Sequence, residues 1–128
     1  MKNQYFGDVK DYLKYGLLRC FAASGLELGV CWLLTRDDGS TDGSDRRYLE
    51  QPSWREHDPA LYDFLLAACA KPSGRTVSNL EASGLLQARF FSEFIPELDT
   101  ARDAAFQRAG EQLAGSHLLF FDPDVGIE

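Results

Sequence analysis

The chain has 128 residues, 45% of them hydrophobic, with nine phenylalanines, five tyrosines and two tryptophans; this is the size of one domain with one core. A formal charge of -7 and a pI near 4.8 exclude non-specific binding to phosphate backbones through bulk charge, so nucleic acid could be met only through a local patch. No run approaches the roughly 18 apolar residues of a membrane span and the opening segment lacks the apolar stretch of a secretory signal, so a cytoplasmic, bacterial-type protein without a membrane partner is expected.

Asp8 stands as an N-cap before Val9, Leu13, Leu17, Cys20 and Phe21, which repeat at helical spacing as far as Ser24 and Gly25. That stripe predicts a first helix with Leu13 and Leu17 buried, Lys10 exposed, and Lys14 and Tyr15 turned toward the ends of the strands. Residues 29–35 (GVCWLLT) form a short apolar run, expected as a strand covered on both faces. The polar loop 36–45 follows, and then a basic-aromatic stretch with Arg46, Arg47, Tyr48 and Trp54. Asp58-Pro59 opens a second helix that stops at Pro72-Ser73-Gly74, and Ser78 with Glu81 reads as a capping box for a short third one. A second strand is expected at 88–91, a helix from Thr100 through Gln112 with Gly115 behind it, and a third strand at 117–122 (HLLFFD). Strands alternating with helices predict a Rossmann-like three-layer α/β sandwich with a mainly parallel sheet, in one domain spanning 1–128.

In open parallel sheets, ligands bind beyond the carboxyl ends of the strands. Two of the three strands end in acidic clusters: Asp37, Asp38, Asp42 and Asp45 after the first, and Asp122, Asp124 and Glu128 after the third. If these strands are neighbours, the clusters face one crevice. Asp122-Pro123 fixes the exit of the last strand and leaves a carboxylate at the sheet edge, where it can accept from an amine, hold a metal, or simply terminate the strand in a turn. Asp38, Ser40, Asp42 and Gly43 imitate the start of a calcium loop, but Leu49 stands where the bidentate glutamate belongs. His57 and His117 have no second ligand at metal spacing. Cys20, Cys31 and Cys69 form no CxxC pair and read as buried, reduced thiols. No GxSxG elbow, GxxxxGK[ST] phosphate loop or GxGxxG fingerprint occurs.

The opening YFGDVKDYLKYGLLR resembles the start of the bacterial large-subunit ribosomal RNA adenine-N6 methyltransferases, whose pattern is G-x-x-x-D-x-L-K-H; Gly7, Asp11, Leu13 and Lys14 match, and Tyr15 replaces the histidine. Asp122-Pro123-Asp124-Val125 stands where that family carries D-P-P-Y. The opening NQYFGD and the D-P-D-x-G-I-E ending also resemble an uncharacterised bacterial family. The methyltransferase resemblance implies S-adenosylmethionine as cofactor, Lys14, Tyr15, Thr35 and Arg36 around it, and Asp122 as the catalytic carboxylate engaging an amine of a base. The chain departs from that family in having an acidic loop after the first strand, where glycine would let backbone approach the cofactor, and in ending six residues after Asp122, as either the N-terminal part of a longer chain or a minimal relative. A competing expectation is a Mg²⁺-dependent nuclease or phosphodiesterase in which Asp122, Asp124 and Glu128 hold the metal. A third is an inactive interaction module that retains the fold.

Overall fold

The structure, a computed structural model, describes residues 1–41 and 43–123. Its regular elements are α1 (Val9–Ala23), β1 (Leu28–Cys31), α2 (Pro59–Cys69), α3 (Val77–Ser83), β2 (Ala88–Phe91), α4 (Asp99–Gln112) and β3 (Leu118–Phe121). The strands form one sheet in the order β2-β1-β3, and both pairings are parallel, with Val30 opposite Phe90 on one side and Phe120 on the other. The fold is a small Rossmann-like α/β sandwich.

Alternation along the strands divides the apolar side chains between two layers of helix. Leu28, Val30 and Trp32 join the large core under α1, α2 and α3 with Leu18, Leu61, Leu65 and Leu80, whereas Cys31 and Phe91 face Ala105 and Ala109 of α4 and Leu113, which caps it. β1 is buried along its whole length, as its uninterrupted apolar run requires. No described helix is long and apolar enough to cross a membrane.

The first strand is shorter than the apolar run that predicts it. Leu33 has φ 47°, a left-handed conformation that a branched side chain rarely adopts, and it interrupts the ladder after Cys31. Leu34 returns only as an isolated parallel bridge to Phe94.

The expected burial of α1 is overturned. Leu13 and Leu17 are 58% and 55% exposed, and the helix turns Asp11, Tyr12, Tyr15 and Leu18 inward, while Lys10 is exposed as expected. The tyrosines can be buried because each hydroxyl has a partner: Tyr12 donates to the Trp54 carbonyl at 2.8 Å and Tyr15 to Asp11 at 2.9 Å. An apolar count assigns such residues to neither face.

Smaller corrections have the same kind of cause. The cap of α3 is Thr76, which accepts from Asn79 N, and Glu81 is drawn instead to Trp32 Nε1 at 2.7 Å. Cys20 is exposed and Cys69 half-buried, so only Cys31 is the buried thiol expected; all three are free. The basic-aromatic stretch folds into two 3₁₀ segments, Arg47–Glu50 and Pro52–Glu56, and packs Tyr48 at a tilt and Trp54 edge-on against Tyr12. Arg46 donates to the carbonyls of Phe6, Gln4 and Gly43, and Arg47 is paired with Asp45, so both guanidiniums are engaged within the fold.

Candidate functional site at the carboxyl edge of the sheet

The site begins at the amino end of α1. Asp8 caps the helix by accepting from Asp11 N at 2.8 Å, and its neighbour Gly7 adopts φ 79° so that its own N–H reaches Asp11 Oδ2 at 3.1 Å. Asp11 is 2% exposed and is held from three sides: Gly7 N and the Tyr15 hydroxyl on one oxygen, and Lys14 Nζ at 2.6 Å on the other. A buried carboxylate is tolerable only with such a full set of donors. Burial pushes the Asp11 carboxyl up from its ordinary value, opposed chiefly by Lys14.

Lys14 is shared. Its ammonium lies 2.6 Å from Asp11 Oδ1 and 2.6 Å from Asp122 Oδ2, tying the helix to the residue that follows β3. Burial by itself lowers the pKa of this amine, but the two carboxylates more than offset it and hold it above the usual lysine value. Tyr15, fully buried beside Asp11, is pushed well above its ordinary value by burial and then by that charge. Lysine and carboxylates thus form a charged relay from the core to the surface.

β1 pairs with β2 on one side and β3 on the other, which makes the gap between the ends of β1 and β3 the topological switch point of the sheet. Asp122 N donates to Cys31 O at 3.0 Å, fixing the carboxylate at that gap. A cavity of about 570 Å³ opens beside it, lined by Tyr5, Asp8, Lys10, Asp11, Lys14 and Asp122 among others. The Met1 ammonium lies in the gap, 2.9 Å from Asp122 O and 3.2 Å from Leu33 O.

Around the same edge, beyond Leu33, lies a groove of about 440 Å³ in which Leu33, Ile95, Pro96 and Phe106 supply apolar walls and Thr35, Glu97 and Arg102 polar ones. Thr35 and Arg36 also line a recess with Lys2, Phe94 and Glu97. Of the residues nominated from the sequence, Lys14 and Asp122 therefore meet, and Tyr15 joins them through Asp11 and through its ring, over which the Lys14 ammonium lies 5.4 Å from the centroid. Thr35 is separated from Asp122 by Met1, to whose carbonyl its N–H donates at 2.9 Å, and with Arg36 it lines the recess that reaches Phe94 after β2. Asp42, Asp124 and Glu128 lie outside the described residues.

Of the acidic cluster expected after the first strand, the described members Asp37, Asp38 and Asp45 do not line the cavity beside Asp122. Asp37 accepts from Gln4 N, Asp38 binds Lys2 and Gln4, and Asp45 binds Arg47, so these carboxylates pin the loop to its neighbours. His57 rests edge-on against Trp54, and His117 Nδ1 accepts from Glu27 N. Among the described residues no group of three or more His, Cys, Asp or Glu side chains is placed to hold a metal ion.

Asp8 and Glu97 are site residues that sequence reading passed over, and Asp11 entered it only as a motif match. The signal for Asp8 and Asp11 was available: with Lys14 they stand at i, i+3 and i+6, on one face at the start of a helix. Glu97 gave none, since its relevance comes from the position of β2 beside β1. Fold and site together define a Rossmann-like α/β domain with a lysine-bridged pair of aspartates at its switch point. Compared with protein-family models, with curated proteins and with solved structures, the chain matches none.

Proposed function

We propose that this chain is an S-adenosylmethionine-dependent, methyltransferase-like domain acting on an amine such as that of a nucleic-acid base. The observation that carries the reading is the place of Asp122: directly after β3, at the gap between β1 and β3, with its carboxylate bound by Lys14 of a distant helix. The fit of the cofactor rests on two features. The carbonyls of Leu33 and Asp122 already receive an ammonium, the group an amino-acid moiety brings. The adjoining groove combines apolar walls with the Glu97 carboxylate and Thr35, a set suited to a nucleoside.

When bound, the cofactor would supply an electrophilic methyl group. Asp122 accepts a hydrogen bond from the acceptor amine and orients its lone pair, while Lys14 keeps that carboxylate aimed. Asp11 and Tyr15 position Lys14 from the core. Thr35 and Arg36 lie toward the nucleoside end. The net charge of -7 leaves any nucleic acid to be approached locally, and the reading places the domain in the bacterial cytoplasm.

The Asp122 carboxylate at the switch point also suits a second reading, a Mg²⁺-dependent phosphodiesterase in which Asp122 acts with Asp124 and Glu128. Thermal denaturation separates the two, since a ligand that binds only the folded state raises Tm. S-adenosylmethionine or S-adenosylhomocysteine is expected to raise it and Asp122→Asn to remove the effect. A rise with Mg²⁺ and none with either nucleoside would transfer the assignment to the second reading.

A further inference from the structure

We infer that the cavity beside Asp122 takes a cationic nitrogen group, guanidinium or primary ammonium, held by the carboxylates of Asp8 and Asp122 together. This rests on the methyltransferase-like reading above for the name of acceptor, and it narrows the amine of that reading to a charged one; the binding itself follows from Asp8. Asp8 is 7% exposed, and its carboxylate meets one neutral donor, Asp11 N, on Oδ1 at 2.8 Å. Among the described residues it makes no ion pair, although a carboxylate so far buried is almost always paired. Lys14, which lines the same cavity, is already taken between Asp11 and Asp122, at 2.6 Å from each.

The helix dipole and the cap bond explain why an oxygen stands at this position, but asparagine or serine caps equally well, so the charge itself is left without a role in the fold. The cavity of about 570 Å³ gives it one. Asp8 and Asp122 both line that cavity, and each keeps one carboxylate oxygen without a donor among the described residues. Their charges converge, because Tyr15, raised first by burial, is raised further by Asp11, Asp122 and Asp8. Asp8, Asp11 and Asp122 are nevertheless not placed to hold a metal ion together. The cation that joins Asp8 to Asp122 is therefore larger than a bare ion and reaches them through separate N–H groups, as guanidinium and ammonium do. Tyr5 adds an aromatic wall, which suits an organic cation. The net charge of -7 draws such a partner and repels a phosphate backbone.

The test titrates agmatine, a short glycine peptide carrying one arginine, and adenosine by calorimetry into the unmodified chain, Asp8→Asn and Asp8→Ser, with S-adenosylhomocysteine as a separate titrant. Both guanidinium probes are expected to bind the unmodified chain and adenosine is not. Both variants should bind the probes about tenfold or more weakly while holding Tm to within about 2 °C, because the cap is kept and only the charge is lost. Tighter binding of the peptide than of agmatine assigns the cation to a protein side chain, and the reverse to a small free amine. The comparison of probes on the unmodified chain stands even if a variant fails to fold. Binding of adenosine with neither guanidinium probe would overturn the inference, as would guanidinium affinity unchanged in both variants, which would leave Asp8 a helix cap alone; in either case binding of S-adenosylhomocysteine keeps the methyltransferase-like reading. Guanidinium binding that depends on Asp8, in a chain that does not bind S-adenosylhomocysteine, would uphold the site and overturn that reading instead.

Discussion

Lys14 and Asp122 are 108 residues apart in the chain, yet the ammonium of one lies 2.6 Å from the carboxylate of the other, with side-chain exposures of 19% and 16%. The pair is neither a surface bridge nor a sealed one. A half-open ion pair fixes geometry while staying within reach of a ligand.

The two partners should respond differently to removal. Asp122→Asn leaves Lys14 its bond to Asp11 and keeps an acceptor, so its cost is expected to be about 1 kcal/mol, while any ligand-induced rise in Tm is lost. Lys14→Met strands Asp11 as a buried charge and is expected to cost about 3–5 kcal/mol. Urea denaturation measures both. Equal destabilisation by the two variants, with the ligand response intact in Asp122→Asn, would make Asp122 a turn residue.

Gly7 is the hinge on which Asp11 depends. Its φ of 79° disfavours any side chain, and a Cβ there would lie 2.3 Å from Cys69 Sγ. Gly7→Ala is expected to destabilise by about 2 kcal/mol or more through strain and displacement of Cys69, with the Gly7 N to Asp11 bond broken as well. The check is the chemical-denaturation midpoint, together with the reactivity of the Cys69 thiol toward a disulfide reagent, which should increase.

The true inner face of α1 can be read by substitution. Leu18→Ala removes a fully buried side chain from the core and should cost about 2–5 kcal/mol. Leu13→Ser and Leu17→Ser should each change stability by no more than about 0.5 kcal/mol, because these side chains are more than half exposed. A large loss from Leu13→Ser would restore the face that the apolar stripe predicts.

High pH should unfold the protein cooperatively. Lys14 is raised above 10.5, and Tyr12, Tyr15 and Tyr48 are raised above 10.0, in each tyrosine chiefly by burial. All four hold protons in the folded state that the unfolded chain releases, so stability is fully present below about pH 10 and falls as pH rises beyond it. Tyrosinate absorbance should therefore appear together with the loss of far-ultraviolet dichroism. Tyr15→Phe should make the alkaline limb shallower. Smooth titration of all the tyrosines before unfolding would contradict the burial that causes the shifts.

The layers and the parallel sheet were legible because helical and strand periodicities do not overlap, and the Asp58-Pro59 start was legible because its cap is a local hydrogen bond. What escaped depended on tertiary partners. Tyr12 and Tyr15 count as core only once Trp54 O and Asp11 are beside them, and Leu33 ends a strand through a conformation that no composition announces. At the site, Asp122 and Lys14 could be named from two short motifs, but the carboxylates of loop 36–45 looked equally available. Their local partners, Gln4, Lys2 and Arg47, come from other segments or from within the loop's own turn, and they bind those carboxylates first.

The bond from Met1 N to Asp122 O spans 121 positions, and the sheet needs β3 beside β1 before either the crevice or the Lys14 pair exists. During synthesis Lys14 of the amino-terminal helix must therefore wait for its Asp122 partner until β3 has left the ribosome. Contacts of such long sequence separation also slow refolding, because the closure entropy is spent before the ion pair can form. A nascent chain stopped before Leu118 would leave one edge of β1 open and Leu28 to Cys31 uncovered, the kind of surface on which chaperones act.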